Sequence, residues 1–512
     1  MSRVARELKA WIVSRTGLQE AWHYWMAAKI PARLNWSYTL GGLTLFLLAT
    51  QAVTGVVLAF YYAPTPQAAY PSVVYLQDQV FLGIWIRALH YWGATFIVVA
   101  ALLHMARVFW YGSFKAPREA TWMTGVLLLL LVLLFAFTGY LLPWDQKAYW
   151  GTVVGTNIAG LIPGWGKYVR DLLRGGAEVG ALTLSRFYAL HILLLPGTTG
   201  LLIGSHLWLM RRHGVAPPPG RTDRAEEDFF PRQAARDVAV VSLALLALLA
   251  LAWLHAAPLE VPADPNASGN DPKPPWYFLA LYELLRYFPG RLEAVGGIFI
   301  PGLLILLLLA VPFLDRTPER RAAARRMALS AAAVLTLGMG ALTFIGARRG
   351  ESGGPLEPGV AEIAGARFFG TQCASCHQLD DVGTAPPDFW VRQHAREKNL
   401  PMAGSERLSP VVSHAIAVYL KRRPLLDLPE AQLRGAGLYA LQECNQCHTV
   451  FQSPGSGQLS LAGVASKRDR SWMLQHFKDP KKLTPGSTMP AYEFLSDRDL
   501  GDMSDFLLGA KR

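Results

Sequence analysis

Long apolar stretches alternate with short polar segments over the first 350 residues of the chain. A helix needs about 20 mainly apolar residues to cross the hydrocarbon core of a bilayer, and seven stretches are long enough. They lie at 38–62, 82–110, 122–142, 187–210, 238–256, 294–314 and 327–346. This pattern predicts seven transmembrane helices.

Basic residues between the stretches indicate the direction of these helices. Lys and Arg are enriched on the cytoplasmic side of membrane proteins, and here they precede the first stretch and follow the second, fourth and sixth. They are Arg3, Arg6, Lys9, Arg107, Lys115, Arg118, Arg211, Arg212, Arg221, Arg224, Arg316, Arg320 and Arg321. The segment between the first two stretches, Tyr61–Phe81, has no Lys or Arg. We therefore expect the N-terminus in the cytoplasm and, after seven spans, the C-terminus outside.

The composition agrees with a multi-pass membrane protein. With 52% hydrophobic and 17% charged residues, the chain is too apolar for an ordinary soluble or disordered protein. A net charge of +12 does not require a nucleic-acid partner, because cytoplasmic loops collect basic residues and no nucleic-acid motif is present. Residues 1–35 alternate aromatic and basic residues, which is typical of a helix lying on the lipid surface; a solvent-exposed helix is the alternative.

From about residue 350 the sequence turns polar and has no further spanning stretch. It contains a weak repeat, Gly-Ala-x-x-[Phe/Tyr] followed by Cys-x-x-Cys-His, which suggests two small helical modules. We predict an all-α protein, a seven-span helical bundle followed by these modules. Its parts are a surface helix (1–35), a four-helix domain (36–215), a three-span domain (216–349) and the two modules (350–425 and 426–512).

All four cysteines lie in the motifs CASCH and CNQCH, 71 positions apart. They are Cys373, Cys376, Cys444 and Cys447, and the motifs end in His377 and His448. In C-x-x-C-H the thiols form thioethers to a haem and the histidine binds its iron. A zinc site would need C-x-x-C pairs about 15–20 residues apart, so zinc or a disulfide is the weaker alternative. The tail is predicted to carry two covalent c-type haems.

The sixth ligand of each c haem should be a thioether or a second imidazole. In the second module Met489, in GSTMPAY, resembles the Met-Pro of class I cytochromes c. In the first module Met402 has the same relative place, but His394 and His414 compete with it. Either methionine could instead fill a hydrophobic core.

Two predicted membrane helices each carry a pair of histidines. His90 and His104 are 14 residues apart, and His191 and His206 are 15 apart. Because this is close to four helical turns, each pair projects from one face at levels about 21–23 Å apart. Both helices run from outside to inside, so His90 with His191 forms an outer site and His104 with His206 an inner one. Each site offers two imidazoles to a b-type haem; ordinary buried core histidines are the alternative.

Small and basic residues lie near the histidine levels. Glycines repeat at the same 14-residue interval in the first and third stretches, where they permit close approach of a flat haem or simply of another helix. They are Gly41, Gly55, Gly125 and Gly139. Arginines near the two sites could pair with haem propionates or extend to the membrane surface. They are Arg87 and Arg186 for the outer site, and Arg107 and Arg211 for the inner site.

Residues 30–346 thus resemble cytochrome b of the cytochrome bc complexes. The matching stretches are LGGLTLF, IRALHYW, HMARVFWYGSFKAPRE, TGYLLPWDQKAYWG and LSRFYALH. The PWDQ form and the 15-residue histidine pair look like the plastid-type branch. Seven spans look like its cytochrome b joined to its three-span companion subunit, and the tail resembles two cytochrome c domains that replace a separate c-type subunit.

The resemblance implies an enzyme, the cytochrome subunit of a quinol–cytochrome c reductase. One quinol electron would pass through a Rieske iron–sulfur protein to the c haems and then to a downstream cytochrome or oxidase. The other would cross through the two b haems to an inner quinone site, with proton translocation. A Rieske cluster needs two Cys and two His, so it must belong to a separate subunit, because every cysteine here is assigned. The resemblance also implies a homodimer.

An outer quinol pocket is carried over from the family by matching residues. They are Tyr140, Pro143 and Trp144 in GYLLPWD, and Pro274, Trp276 and Tyr277 in PPWY. Aromatic residues that only anchor the chain at the membrane interface would have the same composition.

Two positions depart from the family pattern. The family's P-E-W-Y has a carboxylate thought to take the quinol proton, where this chain has Pro275. We expect Glu283, eight residues further on, to serve as the catalytic acceptor near Tyr277, with Asp271, Asp145 or water as alternatives.

The second departure is Thr39, where plastid-type sequences carry a cysteine that attaches an extra haem. A hydroxyl cannot form a thioether, so we predict no third covalent haem.

Two other functions compete. One is a di-haem b subunit that passes quinol electrons to a dedicated reductase without splitting their paths. The other is a non-catalytic membrane tether that presents c haems and contains no b haem.

Overall fold

The computed structural model of the chain is mainly helical. It describes residues 3–17, 20, 28–220, 225–260, 262–263, 273–288, 290–348, 356–372, 410–422, 427–442, 444–446, 448–451, 459–484, 487, 489, 491–492 and 495–509. The chain divides into two compact units, one of residues 1–259 and 274–346 and one of residues 260–273 and 347–512.

In the part of the chain that the structure describes, seven helices are long and apolar enough to cross a membrane, as predicted. Spans 1 to 7 are Trp36–Ala59, Gly83–Trp110, Glu119–Leu141, Ala181–His213, Arg232–Leu254, Val295–Leu314 and Ala322–Arg348. Span 1 begins with a short 3-10 turn, Trp36–Thr39, which Asn35 caps by accepting a hydrogen bond from the Ser37 N–H. The α-helix proper starts only at Leu40.

Shorter helices fill the segments that the charge pattern assigns to the outer side. They are Ala69–Gln79, Gln146–Gly160, Gly166–Arg174 and Trp276–Arg286. Asp145 caps the second of them, because its Oδ1 accepts a 2.9 Å hydrogen bond from the Ala148 N–H.

Among the described residues of the N-terminal segment, Arg3–Thr16 forms a helix that is followed by Gly17 at a φ of +63°. The prediction of a surface helix over residues 1–35 stays a prediction, because part of this range lies outside the described residues. Lys29–Pro31 forms a strand that pairs antiparallel with Glu226–Asp228, after span 4. The helix Arg3–Thr16 stops at Gly17 because this glycine adopts a left-handed backbone, and Pro31 is poorly suited to a helix interior.

A buried ionic cluster joins the segment after span 2 to the segment between spans 6 and 7. Asp315 accepts from the Lys115 Nζ and the Arg325 Nε, both at 2.6 Å. The Arg325 guanidinium also lies over the rings of Phe109 and Phe114. Burial alone would raise the pKa of Asp315, but the bonds and charges of the two cations outweigh burial and lower it.

The described residues of the second unit are mainly helical and share a continuous hydrophobic core. Its helices are Pro358–Gln372, Pro410–Arg422, Glu430–Leu441, Arg470–Lys478, Pro480–Leu483 and Asp497–Gly509, and a short parallel strand pair joins His448–Thr449 to Leu459–Ser460. The Glu357 carboxylate accepts hydrogen bonds from the backbone N–H groups of Val450 and Phe451. The two predicted modules therefore share a core across the boundary drawn at residue 425.

The sequence repeat in this unit is also a structural repeat. A Cβ on Gly365 would meet the Ala415 carbonyl oxygen at 2.1 Å, and one on Gly435 would meet the Asp502 carbonyl oxygen at the same distance. Aromatic side chains four residues beyond each glycine then contact a ring of the partner helix, in the pairs Phe369–Tyr419 and Tyr439–Phe506. Each half is thus built on two helices that cross closely at a glycine.

Candidate functional site

Spans 2 and 4 bring together the two predicted outer histidines. The ring centroids of His90 and His191 are 6.4 Å apart, with the ring planes at 73°. Two imidazoles that bind one metal from opposite sides have centroids roughly 6 Å apart, because each metal–nitrogen bond is about 2 Å. The inner histidines, His104 and His206, are close enough to interact electrostatically. The outer pair therefore has the spacing that a bis-imidazole haem requires.

A π-helical turn explains why the two histidine pairs differ in spacing. In span 4, Leu190–Leu194 forms a π-helix, and the Leu195 N–H donates to the Leu190 carbonyl five residues earlier. A π turn holds one more residue than an α turn. Although His191 and His206 are 15 residues apart, they therefore project from one side of span 4, as the 14-residue pair His90 and His104 does from span 2.

The four repeating glycines all lie against the four imidazoles. A Cβ added to each glycine would meet a ring carbon of one histidine within 3.2 Å. The pairs are Gly41–His104, Gly55–His90, Gly125–His206 and Gly139–His191, with Gly139 closest at 2.6 Å. Spans 1 and 3 thus supply flat backbone surfaces where a flat cofactor and its ligands need space.

Threonines form hydrogen bonds to three of the four histidines, a feature that the sequence analysis missed. The Nδ1 atoms of His90, His206 and His191 lie 2.9, 3.0 and 3.0 Å from threonine hydroxyls. These belong to Thr54, Thr124 and Thr138, and each precedes one of the repeating glycines. The Thr-Gly dipeptide at three of the four glycine positions was the available signal.

The predicted propionate-binding arginines differ in their contacts. Arg87 donates to the backbone oxygens of Ala257 and Pro258 at 2.8 and 2.7 Å. Arg186 donates to the Leu172 carbonyl. Arg107 lies over the Tyr38 ring at 4.3 Å. Arg87 and Arg186 thus hold outer segments in place, and the pairing of these arginines and of Arg211 with propionates stays a prediction.

Aromatic contacts bring the two parts of the predicted quinol pocket together. Phe137 of span 3 contacts Phe278 edge to face at 6.4 Å, which joins the end of span 3 to the helix that carries Trp276 and Tyr277. Trp144 is buried with a positive φ of 52° and packs edge to face on Tyr149. Tyr140 lies against Gly151, and Pro143 and Pro274 flank the two aromatic segments.

Tyr277 packs on a core formed by spans 1, 2, 3 and 5. Burial raises the pKa of this phenol, so it stays protonated at neutral pH. A protonated phenol can donate a hydrogen bond to a quinol or quinone oxygen.

The candidate proton acceptors for the quinol pocket differ in their surroundings. Glu283 is 1% exposed and lies next to Gly346 of span 7. It follows Tyr277 by six residues, which puts the two about 120° apart around the helix. Asp145 is engaged as a helix cap, and Asp271 lies outside the described residues.

A carboxylate near the inner histidines was missed by the sequence analysis. Asp237 of span 5 accepts a 3.0 Å hydrogen bond from Gln233, and its Oδ2 would lie 3.5 Å from a Cβ on Gly42. The neighbouring Gly41 contacts His104. An acidic residue inside an apolar span was the available signal, because such residues are rare and commonly functional.

Thr39, the residue at which we predict that no haem is attached, is buried in span 1. Its hydroxyl donates to the Trp36 carbonyl at 2.7 Å.

In the second module, two of the predicted haem residues pack against the same core. Cys444 and Met489 pack against it. Burial, and then the neighbouring His476, lower the pKa of His448, which keeps this imidazole neutral and able to bind a metal. His476 stacks on Trp472 at 4.5 Å and was not singled out from the sequence. Cys373, Cys376, His377, Met402 and Cys447 lie outside the described residues.

Comparisons with known proteins agree with the membrane part. Residues 25–214 match the family model "Cytochrome b/b6/petB", and residues 262–358 match "Cytochrome b(C-terminal)/b6/petD". A cytochrome bc complex cytochrome b subunit of Chlorobaculum thiosulfatiphilum is 38% identical over 295 residues, which cover 55% of this chain and 67% of that protein. Cytochrome b of Cereibacter sphaeroides is 33% identical over 371 residues, or 67% and 83% of the two chains.

Cytochrome b6 of Heliobacterium mobile is 46% identical over 185 residues, covering 36% of this chain and 87% of that protein. A solved structure of a hyperthermophilic respiratory Complex III aligns with a TM-score of 0.61 at 30% identity, over 66% of this chain and 91% of that chain. The family implies b-type haems and quinone binding in an integral membrane protein. The chain therefore belongs to the cytochrome b family, with the b/b6 part and its three-span companion joined in one polypeptide.

Proposed function

We propose that this chain is the cytochrome b and c subunit of a quinol–cytochrome c reductase of the bc type, which oxidises quinol at an outer pocket and translocates protons. One observation carries the proposal: two histidine pairs from spans 2 and 4 each face glycines of spans 1 and 3. A haem held by two imidazoles passes single electrons without binding other ligands. Two such haems in one bundle would provide a route for electrons across the membrane.

The chain's own residues would position the b haems and exclude water. His90 with His191 would hold the outer haem, and His104 with His206 the inner one. The glycines keep side chains out of the space between the helices. Arg107 would pair with a propionate of the inner haem, and this role is supported by its electrostatic interaction with His104 on the same helix.

The outer pocket would take the quinol between the end of span 3 and the helix Trp276–Arg286. Tyr277 would donate a hydrogen bond to the quinol oxygen, and Trp144 and Trp276 would form apolar walls. Glu283 is our candidate proton acceptor, since it is a buried carboxylate on the same short helix. At the inner side, Asp237 would supply a proton to a quinone, a role supported by its carboxylate lying beside Gly42, next to the glycine that contacts His104.

The role of Glu283 is tested by Glu283→Gln. We expect quinol oxidation to fall about 100-fold or more, as is typical for the loss of a general base, with a changed pH profile. An unchanged rate and pH profile would leave water as the acceptor and remove Glu283 from the mechanism.

The tail would carry two c-type haems on Cys373, Cys376 and His377, and on Cys444, Cys447 and His448. Met402 and Met489 are the proposed sixth ligands. The paired glycine crossings at Gly365 and Gly435 support two equivalent halves.

The remaining assignments concern topology and partners. With the N-terminus in the cytoplasm and the tail outside, the c haems would lie on the side of the quinol pocket. A separate Rieske protein would deliver electrons to them, and a downstream cytochrome or oxidase would remove them. We also propose that the complex is a homodimer.

The amounts of b and c haem per chain test the proposal directly. A pyridine haemochrome spectrum of the purified protein should give two b and two c haems, and a chain without b haem would be only a tether. Quinol should reduce both haem types in the assembled complex, and an inhibitor of the outer site should block both. Reduction of the b haems alone would favour a di-haem subunit that feeds a dedicated reductase.

A further inference from the structure

The three threonine–histidine contacts assign a fixed protonation pattern to the imidazoles. Each hydroxyl also lies 2.8–3.0 Å from the carbonyl oxygen four residues earlier in its own helix. A hydroxyl has a single hydrogen, and here the helix carbonyl accepts it. The threonine oxygen must therefore accept the hydrogen bond from the histidine Nδ1–H. The Nε2 atom is left with the lone pair that a metal needs.

The fourth histidine has a different environment. The Nδ1 of His104 is buried and has no hydrogen-bond partner among residues 28–220, all of which the structure describes. The residue before its facing glycine is Leu40 and not a threonine. Backbone carbonyls of Gln51, Phe135 and Thr121 also interact with the other three rings. His104 lacks such a carbonyl, because the α-helix of span 1 begins only at Leu40.

We propose that these threonines set the order of the two b-haem potentials, and with it the direction of electron transfer from the outer to the inner haem. This inference rests on the proposed function, since it takes the four histidines as haem ligands. An acceptor at Nδ1–H makes the imidazole a more basic ligand, which stabilises ferric iron and lowers the reduction potential. The outer site has two such ligands, His90 and His191, whereas the inner site has only His206. The outer haem should therefore have the lower potential.

Valine substitutions remove the acceptor while keeping the side-chain shape. In the purified full-length protein, Thr54→Val and Thr138→Val should each raise the potential of the outer haem in a redox titration followed by optical and electron paramagnetic resonance spectra. The double variant should raise it further and narrow the gap to the inner haem. Serine at either position keeps the hydroxyl and should restore the original value.

Leu40→Thr supplies the converse test, because it places a hydroxyl before Gly41 as Thr54 stands before Gly55. This variant should lower the potential of the inner haem alone. Thr50→Val is the matched control, since Thr50 lies in the same span and donates to the Phe46 carbonyl at 3.0 Å. Its substitution should leave both potentials unchanged.

Two failures can be told apart. If the b haems are present and the valine and Leu40→Thr variants leave both potentials at their original values, this inference is wrong and the proposed function stands. If substituting the four histidines leaves the b-haem content unchanged, the haem assignment itself fails. Should a valine variant lose its haem, Leu40→Thr still decides the question, because only a threonine effect on the imidazole would lower the potential of the inner haem alone.

Discussion

Deleting one residue from the π turn of span 4 should leave both b-haem sites intact. Leu193 lies within Leu190–Leu194 and is 74% exposed, so its side chain contributes little to the core. Its removal would reduce the spacing of His191 and His206 from 15 to 14 residues, the spacing of the pair in span 2. The turn should then close as an ordinary α-helix with both histidines still facing span 2.

The same deletion in a regular helix should be destructive. Removing Val99, a partly exposed residue between His90 and His104, rotates one histidine by about 100° relative to the other and shifts it about 1.5 Å along the axis. The Cα alone moves sideways by roughly 3.5 Å on a helix of about 2.3 Å radius. Metal–ligand distances tolerate about 0.2 Å, so one haem site cannot form.

The assay is the haem b content of the two purified deletion variants, measured against the covalent haem c. We expect two b haems per chain without Leu193 and one or none without Val99. Equal losses of haem b in the two variants would show that the π turn does not accommodate the extra residue of span 4. Full retention in both would show that the histidine spacing does not govern haem binding.

Three further predictions follow from the described contacts. Gly139→Ala should lose the outer haem, which is about half of the b haem, because the new Cβ would lie 2.6 Å from the His191 ring. Gly197→Ala is the control: its Cβ would enter open space, so this variant should retain both b haems. Asp315→Asn should lower the free energy of unfolding by about 3–5 kcal/mol, because it leaves Lys115 buried without its counter-ion. Because the pKa of Asp315 is lowered in the folded protein, its ion pairs should stabilise the wild type fully above the ordinary carboxyl pKa. This stabilisation should be lost as the pH falls through the lowered pKa of Asp315. Thermal denaturation of Asp315→Asn as a function of pH should not show this loss in acid. Finally, because the Thr39 hydroxyl cannot form a thioether, we expect no covalent haem beyond the two predicted in the tail, and a haem c count of three per polypeptide would contradict this.

Much of the membrane part followed from residue pattern. Hydropathy located all seven spans, because a bilayer imposes one length and one polarity on every helix that crosses it. The 14-residue glycine interval predicted positions that the structure places against the four imidazoles. The roles of Arg87 and Glu283 were harder to predict, because a long polar side chain can reach several partners from one backbone position.

The sequence by itself determined the spans, the matched histidines and glycines, and the cysteine motifs, since each depends on spacing along one helix or on adjacent residues. Only the tertiary structure decided which hydroxyl meets which imidazole, that a π turn brings the second pair into line, and that the two tail modules share a core. These features depend on contacts between helices far apart in the chain. Local pattern cannot specify them, because the rotation and depth at which two helices pack are set by all their neighbours together.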